Sequence, residues 1–388
     1  MGMKAALLVE PKRLEIREIP MPEPGDRDVV VKIDAVGVCG SDVHIYAGEI
    51  NWNIDAEGNV ISLETSPQIL GHEITGRITQ VGSEVHDISV GDRVVVDQGI
   101  NCSSRGRGRQ EWCEYCSTGF SHHCADYVEH GITGLPGGFA DCILVPAVNA
   151  IRIETDLSPE KASMTEPLGC VLHSLRLVDS LGGRHSFQAD DPSRKVRTIA
   201  LAGLGPSGQL FGQAIRRILE FEGPIVASDP DPGKRERARE DFDAIVVDPT
   251  EPDAMVDAVR ESSGGRGTEM LIDACGSPSA WRSFAPMLRK QGTAILYGFG
   301  RERGSCGTLD AIQWRGAHLI ASSGASGPID EEGRPALYRE AIRHLENDVI
   351  QVGHLVTHRY GGLEDLDRAL GSDPGSADYL KGVLILDA

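Results

Sequence analysis

The stretch Val196-Arg197-Thr198-Ile199-Ala200-Leu201-Ala202-Gly203-Leu204-Gly205-Pro206-Ser207-Gly208 decides how the middle of this chain folds. Val196 to Ala202 reads as a short buried strand, Gly203 to Gly208 fits G-x-G-x-x-G, and Gln209 to Glu220 has helical apolar spacing. Asp229 stands 21 positions past Gly208, at the end of the next apolar run, Ile225 to Ser228. In such a strand–turn–helix unit the first glycine makes the tight turn. The second lets backbone approach a pyrophosphate, and the third lets helix and strand pack closely. The helix start offers free N–H groups and a positive dipole end to phosphates. Gly203, Gly205, Pro206, Ser207, Gly208, Asp229 and Lys234 are therefore the expected dinucleotide residues. Asp229 can accept hydrogen bonds from the ribose hydroxyls and would repel a 2′-phosphate, which favours NAD over NADP. Lys234 and Arg235, close behind it, pull the other way.

Working outward, strand and helix text keeps alternating through Ile245–Val247, Met270–Ala274 and Ala294–Gly298, which implies a parallel sheet covered by helices. Upstream the character is different. Val29–Val38, Ile74–Val81 and Arg93–Val96 are β-branched runs punctuated by Gly71, Gly82 and Gly91, the text of a compact β-barrel-like unit. Strand-like text returns at Leu355–Tyr360 and Lys381–Leu386, so the first domain is expected to be discontinuous. The expected division is 1–165 with 345–388, and 166–344.

The chain has 388 residues, of which 40% are hydrophobic and 25% charged, the composition of a globular protein with a full core. Its 38 basic against 58 acidic residues give a net charge of −20, which repels nucleic-acid phosphates and anionic lipids unless a local basic patch intervenes. The best local candidate is Arg105-Gly106-Arg107-Gly108-Arg109, and it is short. No apolar run reaches the ~20 residues that span a bilayer. The apolar start Ala5–Val9 is too short for a signal peptide, so a cytoplasmic protein is expected, with neither nucleic acid nor membrane as partner. Cys102, Cys113, Cys116 and Cys124 crowd together, which in a reducing compartment points to metal rather than disulfides.

Two further constellations are Gly37-Val38-Cys39-Gly40-Ser41-Asp42-Val43-His44 and Gly71-His72-Glu73. A thiolate, an imidazole and a carboxylate are competent zinc donors, and a catalytic zinc keeps one position open. With the glycine turn and Thr165-Glu166-Pro167-Leu168-Gly169-Cys170, these motifs give the chain a resemblance, from Lys4 to Leu386, to the zinc-containing medium-chain dehydrogenases. The likeness is strongest to their polyol, sugar and threonine branch. The resemblance implies an α/β fold: a GroES-like, β-rich catalytic domain plus a Rossmann doubly wound parallel sheet. It implies a catalytic zinc on Cys39, His72 and Glu166, with Glu73 exchanging with water on the metal. It also implies a proton relay from Ser41 to His44, although Ser41 could equally be a helix N-cap.

Cys113-x2-Cys116-x7-Cys124 resembles the last three ligands of that family's structural zinc lobe. Gln110 stands where the first cysteine is usual, and Cys102 is expected to supply the missing donor while Ser103–Arg109 loops out as a flexible basic excursion. His122 and His123 are the alternative donors beside it. The reaction implied is hydride transfer between NAD and a secondary alcohol of a polyol, sugar or cyclitol, by a homodimer or homotetramer. The segment from Glu49 to Ser66, with Asn51, Trp52 and Asn53, is read either as a sugar-docking insert or as a solvent hairpin. Two competing functions remain: a threonine, aldehyde or primary-alcohol dehydrogenase on the same scaffold, and a non-catalytic crystallin-like nucleotide-binding protein.

Overall fold

The computed structural model describes residues 2–55, 57–299 and 306–386. Its chain divides into two compact units, Met1–Gly169 with Ala325–Ala388, and Cys170–Gly324.

The first unit is built on a mixed sheet in which strand Asp28–Val38 is central. It pairs antiparallel with Glu73–Val81, with Lys381–Ile385 and with Cys142–Pro146. Neighbours along both of its edges and apolar packing explain why Val29, Val30, Val31 and Val36 are fully buried and why this stretch reads as a nearly continuous apolar run. The sheet continues through Arg93–Val96 to Ala150–Arg152, and Val356–Tyr360 closes the other edge. A separate hairpin, Gly2–Glu10 with Arg13–Pro20, lays Ala5, Ala6 and Leu8 on the same core.

The return of the chain to this unit comes at 325, about twenty residues before the expected 345. Buried contacts explain the correction. The Arg334 guanidinium, 4% exposed, donates to the carbonyls of Ala147 and Ala150. The Tyr338 hydroxyl donates to Gln98 Oε1. Helical spacing in Ala336–Glu346 reveals an apolar face but not which domain that face covers.

The second unit is a six-stranded, wholly parallel sheet. Its order is Ile245–Val247, Ile225–Ser228, Ile199–Ala202, Thr268–Asp273, Leu288–Leu296, His318–Ala321. The first strand in sequence sits inside the sheet and successive strands are added on both sides of it, the doubly wound Rossmann arrangement that was expected. Helix Pro206–Arg217 follows the first strand with Gly205 at its N-cap and proline at its first position. The polar segment after helix Thr165–Ser180 is a surface loop, closed on itself by a bridge between Ser186 and Lys195. No described helix is long and apolar enough to cross a membrane.

Candidate active site

Cys39 directly follows the central strand Asp28–Val38 and caps the short helix Gly40–Tyr46. Ser41 is thus inside the helix rather than at its cap. The cap is secured by Asp42, whose Oδ2 accepts the Cys39 N–H at 2.9 Å. The other oxygen of Asp42 accepts the Gly71 N–H at 3.1 Å and lies 3.4 Å from His72 Nδ1. One fully buried carboxylate therefore ties the turn before the helix to the Gly71-His72 segment that leads into strand Glu73–Val81. With Nδ1 facing Asp42, Nε2 is left as the metal-binding nitrogen. Burial disfavours a charged imidazole, yet Asp42 and the Cys39 thiol hold the His72 pKa well above the ordinary histidine value.

One donor atom each from Cys39, His72 and Glu73 lies within 4.8 Å of the others. Glu166, expected as third ligand, is not in this set. Its Oε1 accepts from Gln98 Nε2 at 3.2 Å, and Gln98 in turn is held by Tyr338 and by Glu129. Glu73, expected only to exchange with water, is in the set; it is the first residue of strand Glu73–Val81 and is held there by a buried cation. The soft thiolate, imidazole and carboxylate fit zinc, and three donors leave a tetrahedral site open.

The sequence reading missed Lys381. Its Nζ lies 2.6 Å and 2.5 Å from the two Glu73 oxygens and 2.9 Å from the Val38 carbonyl, and the pair is almost wholly excluded from solvent. Burial pulls its pKa down, but Glu73 and Cys39 override that and raise it. The available signal was a cation opening an otherwise apolar strand, Lys381–Ile385. Gly37 makes room for this pair, since a Cβ there would lie 1.8 Å from Glu73 Oε2. Gly37→Ala is expected to lower stability by about 1–3 kcal/mol through overpacking. It should also weaken zinc retention, read by urea titration and by metal content after dialysis against chelator.

Ser41 Oγ lies 3.8 Å from Cys39 Sγ. His44 Nδ1 is 2.6 Å from Glu49 Oε2, with both side chains partly open to water. The segment after Glu49 is a hairpin. Ile54 bridges Val60, and Asp55 accepts from the backbone N–H groups of Glu57 and Asn59. Asn51 is occupied internally, receiving Asn53 N–H and Gln68 Nε2. Asn53 is buried and Trp52 packs against the core, while the turn at Glu57–Asn59 faces solvent.

In the second cluster Cys102, Cys113, Cys116 and Cys124 bring their sulfurs within 4.8 Å of one another. The separations Cys102–Cys124 and Cys113–Cys124 are 3.8 Å and 3.9 Å. A tetrahedron with Zn–S bonds of about 2.3 Å has edges of about 3.8 Å, so the cage fits four-thiolate zinc and is closed to substrate. The Arg105–Arg109 segment is not a loose excursion. Arg105 donates to the Asp126 carbonyl, Arg107 pairs with Asp126 and approaches Cys102 Sγ at 3.5 Å, and Arg109 donates to the Asp330 carbonyl. His122 and His123 serve elsewhere: His122 Nε2 is 2.9 Å from Asp97 Oδ1 and His123 Nδ1 is 3.2 Å from Ser326 Oγ.

At the glycine turn, Gly203 has φ +96° and a Cβ there would strike Cys275 at 2.7 Å. A Cβ on Gly208 would come within 2.0 Å of the Gly203 carbonyl, whereas one on Gly205 would meet nothing within 4 Å. Two glycines are thus demanded by packing, and the middle one keeps backbone open for close approach, which is how a pyrophosphate fits. Asp229, 8% exposed, accepts Leu204 N–H at 2.8 Å and Asp231 N–H at 3.0 Å, one on each oxygen. A carboxylate has lone pairs to spare for ribose hydroxyls. Lys234 contributes its N–H to the Asp231 cap, and Ser207 Oγ lies 3.4 Å from the Tyr297 hydroxyl. Arg235 is engaged by the Asp229 and Pro230 carbonyls and by Asp248.

Residues 25–155 match the alcohol dehydrogenase GroES-like domain, and residues 208–345 match the zinc-binding dehydrogenase domain. L-threonine 3-dehydrogenase of Thermococcus kodakarensis is 30% identical over 361 residues, covering 92% of this chain and 90% of that protein. Sorbitol dehydrogenase of Bacillus subtilis is 28% identical with the same coverage. The crystal structure of galactitol-1-phosphate dehydrogenase from Escherichia coli superposes with a TM-score of 0.77 at 22% identity, over 99% of this chain and 100% of that one. With its GroES-like unit, its Rossmann sheet and these relatives spanning nearly its full length, the chain belongs to the zinc-containing medium-chain dehydrogenase family of oxidoreductases.

Proposed function

We propose that the protein oxidises a secondary alcohol of a polyol, sugar or cyclitol, passing hydride to NAD. The observation that carries this reading is the convergence of Cys39, His72 and Glu73, with Ser41 beside the thiol. Those three residues would hold the catalytic zinc, and Cys102, Cys113, Cys116 and Cys124 a structural one. Zinc bound at the open site supplies Lewis acidity that makes an alcohol proton labile near neutral pH. Ser41 Oγ receives that proton, and His44, facing Glu49 at 2.6 Å, delivers it to solvent. Lys381 holds Glu73 in place, and Asp42 fixes the His72 ring.

The likeness to sorbitol dehydrogenase supports the polyol class. L-Threonine is the second reading, favoured by the threonine dehydrogenase relatives. NADH formation over a panel of polyols, cyclitols, sugars, L-threonine and primary alcohols separates them. The highest kcat/KM is expected on a polyol or cyclitol. Oxidation of L-threonine alone reassigns the substrate, and no oxidation of any alcohol removes the reading.

NAD is assigned from Asp229. Asp229→Ala is expected to raise KM for NAD about 10- to 100-fold, the worth of charge-assisted hydrogen bonds at about 1.5–3 kcal/mol. It should leave KM for NADP nearly unchanged or lower, so the ratio of the two, measured by steady-state kinetics, narrows. The family resemblance also supports a homodimer or homotetramer in the cytoplasm, with a small-molecule substrate as partner. Sedimentation equilibrium at micromolar protein tests the assembly.

A further inference from the structure

The basic run Arg105–Arg109 parts Cys102 from the other three cage sulfurs in sequence, yet in the fold it is fastened back onto them. Asn101 Oδ1 accepts the N–H groups of Ser103 and Ser104 at 2.9 Å and 3.3 Å, and Gly106, at φ +67°, turns the chain. The backbone of Arg107 is then pinned on both sides. Its N–H donates to the Cys102 carbonyl at 3.1 Å, and its carbonyl accepts Trp112 Nε1 at 3.0 Å. The Arg109 guanidinium lies 4.9 Å over that indole.

From this fixed backbone the Arg107 side chain reaches two partners. Nη1 donates to Cys102 Sγ at 3.5 Å, and Nη2 lies 2.7 Å from Asp126 Oδ2. Asp126 stands two residues past Cys124, and Arg105 donates to its carbonyl at 2.6 Å. One guanidinium thus joins the first cysteine of the cage to the chain that leaves the last. A planar fork suits such bridging, because its N–H groups point in fixed directions.

Four thiolates around a divalent ion form a dianion. Here that charge falls in a lobe where Cys102, Cys116 and Cys124 are buried, and buried charge without a partner is costly. Backbone N–H groups relieve part of it. Cys102 Sγ accepts from Cys113 at 3.4 Å, and Cys113 Sγ accepts from Cys116 and from Ala125, each at 3.5 Å. Arg107 adds a whole positive charge, and it does so at the sulfur that lies apart from the C-x2-C pair in sequence.

We propose that Arg107 is a positioning residue of the cysteine cage. It holds Cys102 in the ligand set and offsets the negative charge of the metal centre, so the basic run sets how firmly this zinc is kept. In a chain of net charge −20, an arginine-rich loop beside four thiolates thereby acquires a use that involves no nucleic acid. The inference rests on the reading of the four cysteines as a zinc site and uses neither the catalytic donors nor the glycine turn.

The test uses the full-length Cys39→Ser protein, expected to keep zinc in the cage alone, challenged with a chromophoric chelator. Arg107→Leu in that background should release zinc about 10- to 100-fold faster, the usual worth of a group that supports a metal ligand. With cobalt in place of zinc, the sulfur-to-metal charge-transfer band should move to longer wavelength. A thiolate stripped of an N–H donor gives up electron density more readily. Arg105→Leu removes a cation of the same run whose guanidinium goes to the Asp126 carbonyl, and it should alter neither readout. Arg107→Lys keeps a charge beside Cys102 without the fork to Asp126, and should release zinc at an intermediate rate. Release from Arg107→Leu at the rate of the parent protein, or an unmoved cobalt band, overturns the proposal. Equal acceleration in Arg105→Leu also overturns it, since the effect would then be a general loosening of the loop. Should Arg107→Leu fail to fold, release from Arg107→Lys at the parent rate overturns it. A Cys39→Ser protein that holds no zinc at all removes the cage reading itself, an outcome distinct from unchanged release.

Discussion

Lys381→Met should cost about 3–5 kcal/mol of stability, the penalty for leaving a buried charge without its partner. The Glu73 carboxylate it abandons is 1% exposed and has both oxygens within 2.6 Å of that ammonium. The variant should fall to a lower urea midpoint, and Glu73→Gln should fall as well. The double variant Lys381→Met/Glu73→Gln should recover much of the loss, because the two residues interact and their effects cannot add. If the losses simply add, the pair is not an energetic unit. Zinc content of the single variants then separates the two roles of Glu73. Losing Lys381 leaves the donor in place but without its anchor, whereas losing Glu73 removes the donor itself.

Cys102→Ser should have an effect of comparable size on the other cage. Binding of structural zinc to small four-ligand sites is worth about 10–16 kcal/mol, much of it folding free energy. Losing even about 3 kcal/mol of that lowers the melting temperature by about 10 °C, at about 2–4 °C per kcal/mol for a unit of this size. Metal analysis should find about one zinc per chain rather than two. The surrounding fold makes a substitute donor hard to recruit: His122 is committed to Asp97 and His123 to Ser326. Unchanged zinc and unchanged melting would show that Cys102 does not ligate.

What the chain discloses before folding is what it encodes contiguously. The glycine turn is legible because strand, turn, helix and Asp229 follow one another, and each is constrained by its neighbours in sequence. The four cysteines are legible for the same reason, even with Cys102 displaced. Glu73 and Glu166 could not be ranked in this way. Both are acids beside helix or strand ends, and only folding shows that one gathers with Cys39 and His72 while Gln98 holds the other. Lys381 reaches Glu73 across 308 positions of sequence, and no local pattern carries such a pairing. The role of the basic run is hidden for a related reason. Arg105–Arg109 is conspicuous in sequence yet consumed by internal contacts. The domain boundary at 325 was missed because Arg334 and Tyr338 reveal their allegiance only through buried partners.

The most direct test of the account is metal content and alcohol-dependent NADH formation of Cys39→Ser, measured on the same preparation. About one zinc per chain is expected, retained in the four-cysteine cage. Turnover is expected to fall at least about 10³-fold, as loss of Lewis-acid stabilisation worth several kcal/mol requires, with the melting of the cysteine lobe unaltered. Two zinc ions per chain, or turnover close to that of the unaltered protein, would contradict it.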